Sequence, residues 1–126
     1  MGLDAWFHSL EGERTRENFN KNCRELAYWR KFWPLHSWME RQWRLAGKPM
    51  PWEEDHEDDF NVVPVELTTP ILDALEHDFR NRLNEFDDPD IPAVDYLEGG
   101  NAFIRKIYEA RQALADGLAV FYYSWW

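Results

Sequence analysis

Cysteine is almost absent: Cys23 is the single one among 126 residues. One thiol makes no internal disulfide, so the chain reads as a protein of a reducing compartment, the cytoplasm. Long hydrophobic runs are missing as well. No stretch approaches the ~20 apolar residues that a membrane span needs. The opening MGLDAWFHSLEGE has neither the basic start nor the long apolar segment of a secretory leader. No membrane association is expected. Positive charge is scarce: 14 Lys and Arg stand against 24 Asp and Glu, a net charge of −10. Duplex phosphates repel such a chain, so duplex nucleic acid is not expected as a partner. There is no G-x-S-x-G, P-loop, dinucleotide fingerprint or H-E-x-x-H. Asp73 and His77 at helical spacing, with His56 in an acidic loop, do not complete a ligand set. No metal, cofactor or catalytic residue is assigned, and the reading leans away from an enzyme.

Aromatic residues are abundant. Eight Trp, eight Phe and five Tyr give the chain enough large apolar surface to fold, which excludes wholesale disorder. The length suits one domain over 1–126. Eight Trp exceed what one small core hides, which points to an exposed aromatic patch and to a homodimer. Charge is unevenly placed. Residues 1–52 hold nine Lys and Arg against six Asp and Glu; residues 53–126 hold five against eighteen. An acidic surface keeps a protein soluble, or it docks on a basic partner.

Residues 2–9 alternate and predict a strand. From Asn18 to Ala46 the apolar residues Trp29, Phe32, Trp33, His36, Met39 and Trp43 recur at helical spacing. They predict a long first helix, kinked or split at Pro34 into Asn18–Trp33 and Leu35–Ala46. Asn61–Leu67 predicts a middle strand, placed at an edge by Pro64. Thr69 and Pro70 open a second helix that carries Leu72, Leu75, Phe79, Leu83 and Phe86 inward. A loop over Asp87–Pro92 continues to Gly99-Gly100, and Asn101 caps a third helix that Gly117 ends. Leu118–Trp126 predicts a C-terminal strand. The expected fold is α+β: a two-layer domain with about three helices on a three-stranded sheet made of the N-terminal, middle and C-terminal strands.

The densest chemistry lies in the first helix. Trp29, Arg30, Lys31, Trp33 and His36 combine flat rings with cations, which suits a phosphorylated or heterocyclic ligand. On that helix Arg30 shares a side with Cys23, Leu26, Ala27 and Trp33. The competing reading is a Trp-rich core in which Arg30 pairs with a buried acid such as Asp4 and His36 is hydrogen-bonded. Cys23 falls on a buried face, where a thiol is inert.

The segments Met1-Gly2-Leu3-Asp4, Tyr28–Lys31 (YWRK), Leu35-His36-x-Trp38-Met39-Glu40, Phe60-Asn61-Val62-Val63, Val65–Thr68 and Phe121–Trp126 together carry a likeness. The chain resembles a family of short bacteriophage and bacterial proteins that start MGLDMY, carry YWRK with a downstream HxW, and end in an aromatic SWW-like tail. It departs from that pattern at 85–100, where EFDDPDIPAVDYLEGG stands in place of a Gly/Phe-rich segment. The resemblance implies a phage or mobile-element context and the host cytoplasm as location. The first expected function is a non-enzymatic, acidic binding protein that docks on a basic surface of a host or defence protein. Its interface would be Glu53, Glu54, Asp55, Glu57, Asp58, Asp59, Asp87, Asp88 and Asp90. The alternatives are a nucleotide-like ligand bound at the Arg/His/Trp set, and a small hydrolase with His36 as base.

Overall fold

The computed structural model describes residues 2–52, 60–81, 86 and 93–126, with side chains left undescribed over 93–101. Chain order is β1 (Asp4–Leu10), α1 (Arg16–Asn22), β2 (Arg24–Arg30), α2 (Trp33–Leu45), β3 (Val65–Leu67), α3 (Thr69–Asn81), α4 (Ala93–Ala115) and β4 (Ala119–Trp125). The strands form one antiparallel sheet in the order β2-β1-β4-β3. The fold is therefore α+β, as expected, with four helices and four strands among the described residues. The three expected strands are the contiguous β1-β4-β3 part of the sheet. The fourth strand, β2, adds to the free edge of β1.

The first correction is the long, kinked helix. Only its ends are helical. Thr15 caps the short α1, its Oγ1 accepting from the Asn18 N–H at 3.1 Å. At Cys23 the backbone turns extended (φ −64°, ψ 146°), and the chain returns alongside β1. Arg24–Arg30 then alternates: Ala27 and Trp29 face the core, Tyr28 and Arg30 face out. A ladder of hydrogen bonds to β1 outweighs the weak helical preference of these residues, as tertiary pairing does for short ambiguous segments. A bulge at Leu26, opposite the Phe7/His8 step, lets Leu26 and Ala27 both reach the core. Pro34 does not kink anything. It sits in the first turn of α2, where its fixed φ fits and its missing donor costs nothing.

The remaining differences are at element ends. β3 is shorter than Asn61–Leu67, because Asn61 and Val62 are tied to the end of β4 instead. It is an edge strand, as Pro64 foretold. The third helix starts at Ala93, not Asn101, and runs through Gly99-Gly100. Two glycines cost a helix about 1 kcal/mol each, which a helix of 23 residues absorbs through its cooperativity. The expected loop over Asp87–Pro92 lies outside the described residues. Gly117, at φ +85°, does end α4. Its N–H reaches the Leu114 carbonyl and that of Leu118 reaches Ala113, the paired closure that a left-handed glycine permits.

Helices α2, α3 and α4 cover one face of the sheet. Ala5, Phe7, Val65, Leu67, Val120 and Tyr122 meet Leu35, Trp38 and Met39 of α2, Leu72, Leu75 and Phe79 of α3, and Phe103 and Ile107 of α4. The opposite face is only partly covered. Phe19 of α1 and Trp52 pack on Leu10, Ala119 and Phe121 at one end of it. The other end of that face carries no helix among the described residues.

Candidate functional site

The antiparallel register brings the start of β1 beside the ends of β2 and β4: Asp4 lies opposite Arg30 on one side and Trp125 on the other. This end of the sheet gathers segments far apart in sequence. The Lys31 N–H donates to the Leu3 carbonyl at 2.7 Å. The Asn61 amide brackets the backbone of Trp126, accepting from its N–H at 3.0 Å and donating to its carbonyl at 2.9 Å. The Trp126 indole donates to the Phe60 carbonyl at 2.8 Å, and the Val62 N–H to the Ser124 carbonyl at 2.9 Å. The opening Gly-Leu-Asp, YWRK, His36, the Phe60–Val63 stretch and the aromatic tail thus form one pole of the molecule.

His36 is the buried keystone beneath that pole. Its Nδ1 lies 2.8 Å from the Tyr122 hydroxyl. Its ring packs 4.9 Å from Phe60 and edge-on to Trp33 and Trp126. Burial lowers its pKa to about 4, against smaller upward pulls from Glu40 and the Phe60 carbonyl. Burial likewise raises that of Tyr122. Both groups are neutral near pH 7. A base must meet its substrate, and His36 is closed inside.

The five residues of the Arg/His/Trp set are not brought into one pocket. Trp29 points into the core, edge-on to Phe7 and near Phe32 and Phe103. Arg30 is exposed at the end of an edge strand, its guanidinium about 4 Å from where a Cβ on Gly2 would sit. It does not share a helical side with Cys23, Leu26, Ala27 and Trp33. It also makes no ion pair with Asp4, whose Oδ1 accepts from the Tyr28 hydroxyl at 2.5 Å. Lys31 is exposed, at φ +60° in the turn before α2. Trp33 is exposed and leans on Trp126. So the set divides: Arg30, Lys31 and Trp33 on the surface, Trp29 and His36 within. The nine acidic interface residues fall in 53–59 and 87–90, outside the described residues.

What sequence reasoning missed is the outer face of the sheet. Five of the seven large apolar side chains exposed among the described residues are at this pole: Tyr28, Trp33, Val62, Trp125 and Trp126. Trp6 and Tyr123, half-buried, continue the patch across the sheet. Tyr28, Trp6 and Tyr123 are directly opposed on β2, β1 and β4, with ring centroids 5.5 and 6.1 Å apart. The signal was available in the alternation of LAYWR, which puts Tyr28 on the face opposite to Trp29.

Other features are less suited to ligand chemistry. A hollow of about 360 Å³ at the far end of β1 is lined by Ser9, Glu11, Asn18, Asn22, Arg24 and Leu118, without an aromatic wall. Burial raises the Cys23 pKa, which disfavours a reactive thiolate. Among the described residues no three His, Cys, Asp or Glu gather into a possible metal set. No helix among them is long and apolar enough to cross a membrane. No family model, curated protein or solved structure matches this chain.

Proposed function

We propose that this is a non-enzymatic binding protein that docks on another protein through its aromatic pole. One observation carries the reading: the exposed large apolar side chains are concentrated at one end of the sheet, beside the cations Arg30 and Lys31. Trp, Tyr and Arg are the residues that dominate protein interfaces, because each contributes a large, rigid contact area and a polar handle. Contiguous apolar surface of this kind marks an interaction site on a folded domain. The net charge of −10 favours a partner with a basic surface, since complementary potentials raise encounter rates. The described geometry assigns no nucleophile, and no pocket unites the Arg/His/Trp set, so the hydrolase and nucleotide readings draw less support.

The test is site-specific photocrosslinking in the source cell. A photoreactive residue replaces Trp125 in one variant and Leu45, which is 82% exposed on α2, in another. The proposal expects one discrete protein adduct from position 125 and none from position 45. Equal labelling from both positions, or none from either, overturns it.

A further inference from the structure

We infer that the outer face of the sheet at this pole is a receptor for an arginine side chain presented by a basic segment of the partner. The inference rests on the docking reading and names the chemistry of its central contact. Asp4 precedes Trp6 by two residues on β1, so both side chains project from the same face, about 7 Å apart. Around them stand Tyr28 on β2 and Tyr123 and Trp125 on β4. The rings of Tyr28 and Tyr123 tilt by 37° and 35° to that of Trp6, giving a continuous aromatic surface three strands wide.

Such a surface attracts cations through the negative faces of its rings. A guanidinium is the cation that best fits here. It is planar and weakly hydrated, so it stacks on an indole while its edge forks onto a carboxylate. Asp4 offers that carboxylate. Tyr28 occupies Oδ1, and Oδ2 accepts no hydrogen bond from a described residue. Arg30, the nearest cation of the chain itself, lies against Gly2 and makes no ion pair with Asp4. The remaining charges on this face agree. Glu66 is already held by Arg14 at 2.8 Å, and Glu25, opposite His8, adds a second carboxylate. A phosphate-bearing strand would meet Asp4 and Glu25 in its path, which argues against single-stranded nucleic acid on the same rings.

The experiment is an NMR titration of the whole protein, labelled with ¹⁵N. The probe is an uncharged Gly-Ser peptide carrying three spaced arginines, with citrulline and lysine versions beside it. The expected result is a set of shifts centred on the indole N–H groups of Trp6 and Trp125 and on neighbouring amides of β1 and β4. The citrulline version is expected to fail and the lysine version to bind at least threefold more weakly. Asp4→Asn is expected to weaken the arginine peptide about tenfold, while Glu109→Gln on the exposed side of α4 leaves it unchanged. Trp125→Ala gives an independent check should Asp4→Asn disturb the fold, because that indole is 62% exposed; the same loss with an unchanged melting temperature is expected. Equal weakening by Asp4→Asn and Glu109→Gln would reveal only general attraction of polycations and overturn the inference. So would binding of an oligothymidine at these rings, or a dimer that Trp125→Ala dissolves. Loss of the peptide with retention of the crosslink at position 125 would sink the arginine receptor and leave the docking function standing.

Discussion

Val62 holds φ at +54°, a left-handed conformation that a β-branched side chain resists. It is kept there by its N–H bond to Ser124 and by the Asn61–Trp126 bracket beside it. Val62→Gly removes the steric cost and adds some unfolded-state entropy, so a net gain of roughly 0.5–1 kcal/mol is expected in urea denaturation. His36 sets a pH dependence. It titrates near 4 when folded and near 6.5 when unfolded, so between those values the unfolded chain binds the extra proton. Stability is complete above about pH 6.5 and falls as the pH drops toward 4, by at most roughly 3 kcal/mol. His8, whose pKa burial also lowers, acts in the same direction. Denaturation at pH 7.5 and 4.5 checks this, and His36→Gln should flatten the slope. At this scale the sequence was a partial guide. His36 next to an aromatic stripe was legible as a core group or a ligand group. Tyr122, 86 residues away, decided for the core.

Elements were legible where their signals were local. Thr69-Pro70 opens α3, and Gly117 closes α4 with the left-handed residue that the paired hydrogen bonds require. Gly117→Ala keeps those bonds at the expense of Cβ strain, so a loss of about 1 kcal/mol is expected from thermal denaturation. The α3–α4 contact rests on Arg111, which bridges Asp73 and Glu76, while Arg80 takes the second oxygen of Glu76. Burial tends to raise the Glu76 pKa, but the two guanidinium partners together outweigh it and hold that carboxyl below its usual range. Element β2 was the failure. Its apolar residues fit a helical period when counted together with those of α2, and only the short run from Ala27 to Arg30 betrays the period of two. A count over a long window favoured the helix because it merged two elements across Lys31, whose φ of +60° marks the boundary.

The whole molecule separates charge from apolar anchoring. The −10 charge acts at long range and the aromatic pole at contact, so the two should appear in different rate constants. Raising NaCl from 50 to 500 mM is expected to slow association with the basic partner more than about tenfold and to leave dissociation nearly constant. Trp125→Ala is expected to do the reverse, speeding dissociation. Surface plasmon resonance with the crosslinked partner reads both. What the sequence determined by itself was the α+β class, the pairing of both chain ends with a Pro-marked edge strand, and the stop of α4. Each follows from periodicity, capping or proline chemistry acting within a few residues. What only the tertiary structure decided was the fate of Arg24–Arg30 and, with it, which aromatic rings meet solvent. A strand exists only when a distant segment completes its hydrogen bonds, and its two faces acquire different surroundings only once helices cover one of them. Trp29 and Tyr28, adjacent in the chain, were sent to opposite sides by that ladder.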